Sequence, residues 1–164
     1  MTPAERLEIE AACTRLVYQF ARTNDFWDHE ALAALFTDDC VFARPLDPDH
    51  PYHGKAAVHA IFRDRKPRLT RHVMTNVIID VISETQAGGS CYVTMVSAAE
   101  TKGPQPGEGI FFGGFDDEFV KTADGWKFKS RIGHVALHQG GHIPVLPVPM
   151  RKGASNDGYG QECE

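Results

Sequence analysis

The chain lacks the features that would commit it to a metal, a nucleic acid or a membrane. Its four cysteines, Cys13, Cys40, Cys91 and Cys163, stand far apart without a CxxC pair, so the spacing of a zinc site is missing. Free thiols in a reducing cytoplasm are the expectation. No segment approaches the ~18 consecutive apolar residues that would cross a bilayer, and Met1 to Arg6 lacks the apolar core of a secretory leader. No membrane partner is expected. Lys and Arg number 17 against 22 Asp and Glu, for a net charge of −5. The one basic run, Arg63-Asp64-Arg65-Lys66-Pro67-Arg68, is broken by an acid and reads as a solvated helix end. A nucleic-acid partner wants a basic face, and none is expected. Internal repeats and low-complexity segments are absent as well.

What remains is an ordinary globular composition, 42% hydrophobic and 24% charged over 164 residues. That length suits one domain burying about two-thirds of its unfolded surface. Thr2-Pro3-Ala4-Glu5 carries a helix start with a capping box. Apolar residues then recur with helical spacing at Ile9, Cys13, Leu16, Val17, Phe20 and Ala21, ending near Thr23-Asn24. Asp28 caps a second short helix through Phe36, stopped at Thr37-Asp38-Asp39, and Cys40–Ala43 reads as a strand. Arg44–Gly54, with three prolines, reads as a loop, and Lys55–Lys66 as a third helix ended by Pro67.

From Arg71 the period changes to that of strands. The first is nearly continuously apolar, which predicts cover on both faces over part of its length. Gln86–Ser90 reads as its hairpin turn, followed by strands over Cys91–Ala99, Gly109–Lys121 and Trp126–Leu137. Helices first and long antiparallel strands afterwards predict an α+β layer fold, with a curved sheet wrapped round one long helix into an open cone. Such a concave, mostly apolar place suits a small molecule.

Two segments carry chemistry. Asn24-Asp25-Phe26-Trp27-Asp28 puts a carboxylate at a helix end, and Thr70-Arg71-His72-Val73-Met74-Thr75-Asn76 puts an imidazole at a strand start. Those are the parts of a general acid–base dyad if the fold brings them together. Asp28 already serves as a cap, which frees Asp25. Asn76 lies four residues after His72, so strict alternation places both on one face. Arg131 is either a substrate-oxygen ligand or the ion-pair partner of Asp116 or Asp117. His134, His138 and His142 recur every four residues, but Gly140-Gly141 breaks the helix that would align them, and neither metal nor other cofactor is expected.

Asp25 and Asp28 followed by Ala31-Leu32-Ala33-Ala34-Leu35-Phe36-Thr37-Asp38-Asp39-Cys40-Val41-Phe42 resemble the opening of the SnoaL-like branch of the nuclear-transport-factor-two-like superfamily. Gly54, Arg71-His72 with Thr75-Asn76, Gly114–Phe119, and Asp124-Gly125-Trp126-Lys127-Phe128 with Arg131 continue the pattern over residues 5 to 137. The resemblance implies a cystatin-like α+β cone, a strongly curved and mainly antiparallel sheet under N-terminal helices. It divides the chain into a SnoaL-like cone domain, residues 1–138, and a Pro-rich extension, residues 139–164, frayed at its end and serving as a lid or oligomer contact.

In the dehydratase and dehydrochlorinase members an Asp ending the first helix holds a His on the first long strand, and the His removes a substrate proton. Those positions fall on Asp25 and His72. Phe20 stands where such enzymes often carry Tyr or Lys, so Tyr18, Asn76 or Arg131 would have to polarise the substrate. The pocket residues expected are Tyr18, Phe20, Trp27, Phe42, Met74, Asn76, Phe115 and Arg131.

The resemblance implies a cofactor-independent lyase acting on a small hydrophobic cyclic or aromatic substrate, with water, halide or formaldehyde leaving. A homo-oligomer, trimer or dimer, is implied, closed in part by the apolar, proline-rich tail His142–Met150. An isomerase or cyclase of the steroid or polyketide type shares the first proton transfer. A ligand-binding protein or a dioxygenase small subunit shares only the fold.

Overall fold

The computed structural model describes residues 1–99 and 101–140. It opens with α1 (Pro3–Asp25), started by the capping box: the Glu5 amide donates to Thr2 Oγ1 at 3.2 Å, and the Thr2 amide donates to Glu5 Oε2 at 2.6 Å. Satisfying two otherwise orphaned donors fixes where the helix begins. Its apolar stripe from Ile9 to Ala21 is buried, as the periodicity predicts. Next come α2 (His29–Ala34), β1 (Phe36–Arg44), β2 (Asp47–His53), α3 (Lys55–Arg63), β3 (Leu69–Val81), β4 (Gln86–Ala98), β5 (Gly109–Thr122) and β6 (Gly125–Gly140).

The six strands form one sheet in the order β2-β1-β6-β5-β4-β3. Every neighbouring pair is antiparallel except β1 with β6. The curved sheet and the helices packed on its inner face make the α+β cone anticipated from the sequence. Its core centres on Phe20 of α1, whose ring lies 5.7–6.3 Å from those of Phe36, Phe42, Phe62, Phe115 and Phe128. Aromatic pairs at such distances add to the stabilisation from burial alone.

Four local expectations need correction. The proline-rich segment after Arg44 is not all loop: Asp47–His53 pairs with β1, Phe42 opposite Tyr52. Pro48 and Pro51 are tolerated because β2 is an edge strand, where missing donors face outward. Helix α2 stops at Ala34, and Phe36–Asp39 already belongs to β1. The β3–β4 turn lies at Ser83–Thr85, upstream of Gln86–Ser90, which is strand.

Gly89 is there for packing and not for turning. A Cβ at that position would stand 2.8 Å from the Ile78 carbonyl oxygen and 2.9 Å from Ile79 Cδ1. Strand β3, moreover, is covered on one face only, with Val73 and Ile78 on the outer face more than half exposed. The expected tail His142–Met150 lies outside the described residues. Among the described residues no helix is long and apolar enough to cross a membrane. Cys13, Cys40 and Cys91 are buried free thiols, and burial pushes Cys13 up to about 12.

Candidate active site

The C-terminus of α1 and the start of β3 meet through one carboxylate. Asp25 accepts three hydrogen bonds: from the His72 backbone amide (2.9 Å to Oδ2), from Thr70 Oγ1 (2.8 Å to Oδ1), and from His72 Nδ1 (2.6 Å to Oδ1). An ionised carboxylate only accepts, so the proton of this imidazole sits on Nδ1 and the lone pair on Nε2. The side chains are 7% exposed at Asp25 and 13% at His72. Chelation by backbone and side chain of the same residue locks the ring orientation, the requirement for a positioned base.

Helix α1 ends where it must for this contact. Its last turn closes with the Asp28 amide donating to the Thr23 carbonyl (3.0 Å) and the Trp27 amide to the Asn24 carbonyl (3.4 Å). That is the double-bonded C-terminal turn in which glycine is usual at the left-handed position. Here the position is Trp27, at φ 61°, a conformation costing a non-glycine residue roughly 1–2 kcal/mol. Trp27 repays part of this by donating from Nε1 to the Arg68 carbonyl (3.2 Å) and by stacking on the Arg65 guanidinium, 4.6 Å from the ring centre.

His72 opens onto a cavity of about 400 Å³ between α1, α3, the β1–β2 connection and the inner face of the sheet. Its wall is mostly apolar: Phe20, Phe42, Leu46, Phe62, Val93, Met95, Phe111, Phe115 and Val135. The polar groups are few: Asn24, Arg44, Asp47, Arg65, His72 and His134. Two glycines behind the wall make room for side chains that line it. A Cβ on Gly133 would meet the Pro45 ring at 2.6 Å, and one on Gly114 would meet His134 Cε1 at 2.8 Å. The His134 imidazole therefore lies across the backbone of β5. Burial lowers its pKa and so favours the neutral ring, and its Nδ1 is buried without a partner among the described residues.

The pocket residues expected from the sequence divide. Phe20, Phe42 and Phe115 line the cavity with His72. Tyr18 does not; it lies half-exposed on the outer side of α1 among Ala11, Thr14, Arg15 and Arg22. Trp27 sits behind the wall against Arg65, and Met74 is core. Asn76 is exposed, because the β3–β4 register slips between Thr75 and Ile78 and Asn76 takes φ 51°. That bulge breaks the alternation which would have put it beside His72. Arg131 is fully buried and donates from Nη1 to Asp117 Oδ2 at 2.6 Å, the ion-pair alternative.

Five polar cavity groups were not anticipated: Asn24, Arg44, Asp47, Arg65 and His134. Arg65 was legible, because it continues the i, i+4, i+7 spacing of Val58 and Phe62 in the helix expected over Lys55–Lys66, although α3 itself ends at Arg63. It turns inward from a run that reads as solvated. His138 is exposed beside the Gly140 carbonyl, and His142 lies outside the described residues.

Fold and site together define a cone-shaped α+β protein with a mostly apolar cavity, onto which His72 opens while hydrogen-bonded to Asp25. The chain belongs to the SnoaL-like domain family, whose model matches residues 5–132, within the nuclear-transport-factor-two-like superfamily. Among solved structures it is similar to a candidate scytalone dehydratase from Novosphingobium aromaticivorans DSM 12444, with 26% identity, TM-score 0.78, and 92% of this chain and 99% of that one covered. A type 2 hexachlorocyclohexane dehydrochlorinase shares the fold at 16% identity, TM-score 0.70, with 93% and 100% covered. So does a protein with a cystatin-like fold from Nostoc punctiforme PCC 73102, at 22% identity and TM-score 0.63, with 83% and 94% covered. No curated protein sequence matches.

Proposed function

We propose that the protein is a cofactor-independent lyase in which His72 Nε2 removes a proton from carbon of a small, hydrophobic, cyclic or aromatic substrate. Asp25 fixes the tautomer and stabilises the imidazolium that forms. A small group (water, halide or formaldehyde) then leaves from the neighbouring carbon. The observation that carries this reading is the triple hydrogen bond onto Asp25, which leaves His72 Nε2 as the ring's free nitrogen at the wall of an apolar cavity. The family match and neighbours named for dehydratase and dehydrochlorinase chemistry support a lyase-type or related enzyme. Positioning and general base catalysis supply the rate: a well-placed base contributes about 10²–10⁴-fold, and an apolar wall keeps water from competing.

The outer face of the sheet supports self-association. Val73, Phe112 and Leu137 fall in one cross-strand row and are 55%, 39% and 69% exposed. A second copy of the chain would cover such a row, consistent with a homo-oligomer.

Deuterium wash-in tests the chemistry without knowledge of the leaving group. A panel of β-substituted cyclic ketones is incubated with enzyme in D₂O, and exchange and product mass are read together. The wild type is expected to accelerate exchange at the acidic carbon and to release the β substituent. His72→Gln should lose about two to four decades of that rate while unfolding at a similar denaturant concentration. Exchange undiminished in His72→Gln refutes the dyad, whereas exchange with the β substituent retained in the product moves the reaction to isomerisation.

A further inference from the structure

Behind the cavity wall, the α1–α2 turn places three side chains in series. The His29 ring meets Trp27 edge-on, with centroids 5.3 Å apart. Trp27 in turn lies 4.6 Å from the guanidinium carbon of Arg65, which lines the cavity. The Trp27 backbone is left-handed, at φ 61°, so its side-chain contacts and its bond to the Arg68 carbonyl hold it in a conformation that an L residue disfavours. A turn held in this way moves when its contacts weaken.

His29 is the titratable ring of that series. It is half-buried, and its Nδ1 has no partner among the described residues. Burial first, then the charges of Arg65 and His59, hold its pKa below the ordinary 6.5, against the opposing pull of Asp28 and Glu30. Asp28 and Glu30 flank it in sequence, His59 comes from α3, and Arg65 follows that helix. Both acids are exposed and already engaged: Asp28 Oδ1 accepts from the Ala31 amide at 3.0 Å, and Glu30 Oε1 lies 2.9 Å from His59 Nε2. A neutral imidazole fits such a place. A protonated one has a donor at Nδ1 with nothing to receive it, and it sets a second cation against the indole that already carries Arg65.

We propose that the α1–α2 turn is an acid-sensitive hinge in the cavity wall: protonation of His29 drives Trp27 off Arg65 and loosens the wall where Arg65 stands. The neutral ring keeps the hinge closed and the charged ring opens it. Closed, the hinge makes His29 a weaker base than it is when open. The closed arrangement is therefore fully favoured above the ordinary histidine value and is lost as pH falls through the lower one. The hinge requires no reaction in the cavity, so it stands apart from the lyase reading.

The test follows the chain's two indole N–H groups by NMR from about pH 8 down to about 4.5. Trp27 Nε1–H is held by the Arg68 carbonyl, and Trp126, at the start of β6, is the internal reference. In the wild type, the exchange rate of Trp27 with water relative to that of Trp126 is expected to rise at least about tenfold in one step. The midpoint should lie below 6.5 and coincide with titration of the His29 ring protons. His29→Gln, neutral throughout, should hold the ratio within about twofold. His59→Gln removes one of the cations that disfavour protonation, so the step should remain and its midpoint move upward. That shift carries the test if the His29 variant does not fold.

A constant ratio in the wild type, or the same rise in His29→Gln, overturns the proposal. So does a Trp27 step that departs from the His29 titration, a midpoint unmoved in His59→Gln, or both indoles rising together.

Discussion

Away from the surface, two pairs among the described residues join a carboxylate to a basic side chain at 2.6 Å, and their surroundings differ. Asp25–His72 lies at the cavity wall, its carboxylate saturated by three donors and its imidazole left with a free Nε2. Asp117–Arg131 lies under α1, with side chains 1% and 0% exposed. The Arg131 guanidinium is packed against the faces of Phe20, Phe115 and Phe128 at 4.5, 4.0 and 4.6 Å, and Asp117 Oδ1 and Arg131 Nε find no partner among the described residues. Phe20 and Phe115 belong to both regions, since they line the cavity as well. The same carboxylate-to-base contact thus leaves one nitrogen at a cavity wall in the first pair and is sealed by aromatic rings in the second. The buried pair sets the position of the wall against which a substrate would lie.

The largest expected effect comes from breaking the sealed pair. Arg131→Met removes the cation and strands a carboxylate in the core, which costs about 3–5 kcal/mol in comparable cases. That is a large part of the 5–15 kcal/mol typical of a domain. Urea denaturation should show this loss, and the double variant Asp117→Asn/Arg131→Met should recover part of it by removing the stranded charge. A single variant within 1 kcal/mol of the wild type would mean that water reaches Asp117, and the contrast between the two pairs would collapse.

How much of this contrast the sequence discloses depends on the range of the forces involved. The capping box, the α1 stripe and the Asp28 cap are local, and they were legible. Asp25 and His72 stand 47 positions apart, and only the resemblance to a family pattern joined them. Arg131 remained open between two roles because its fate depends on β5–β6 register, which sets it opposite Asp117. Asn76 was misplaced by a single bulge, since alternation is reliable only while pairing is regular. Gly88-Gly89 reads as a turn in sequence and is strand in space, with Gly89 a packing constraint. Arg65 lies two residues past the end of α3, in a run whose charge marks it as solvated, while the spacing from Val58 and Phe62 points it inward.

Acidity offers a second way to separate the pairs. Burial raises Asp117 from 3.8 to about 6 despite the opposing pull of Arg131. In the unfolded chain the group titrates near its ordinary value, so between the two pKa values the folded protein holds a proton that the unfolded chain has released. Stability from this group is therefore full below about pH 4 and falls as pH rises toward 6. At 1.36 kcal/mol per unit, the difference is roughly 2–3 kcal/mol. Denaturation of wild type and Asp117→Asn at pH 4, 5, 6 and 7 isolates it, since other carboxylates contribute equally to both. The wild type should lose this increment relative to the variant over that window. A difference independent of pH would show that Asp117 is ionised throughout, and that Arg131 compensates its burial in full.

The smallest effect expected is at Thr70, which touches Asp25 but does not line the cavity. Thr70→Val keeps the shape and removes one of three donors, while both bonds from His72 to Asp25 remain. A hydrogen bond to a charged group contributes about 1.5–3 kcal/mol at most, and the low end applies because the carboxylate retains two partners. The catalytic consequence should be smaller than that of losing the base itself. With one donor gone, Asp25 gains rotational freedom and holds the imidazole less firmly, so the maximal deuterium wash-in rate should drop several-fold. The half-saturating substrate concentration should stay within about twofold, because no cavity contact changes. Thr70→Ser restores the hydroxyl and should restore the rate, a rescue that a purely structural role for the threonine methyl would not give. If Thr70→Val altered half-saturation and maximal rate together, or if Thr70→Ser failed to rescue, Thr70 would be strand packing and His72 alone would hold Asp25 in place.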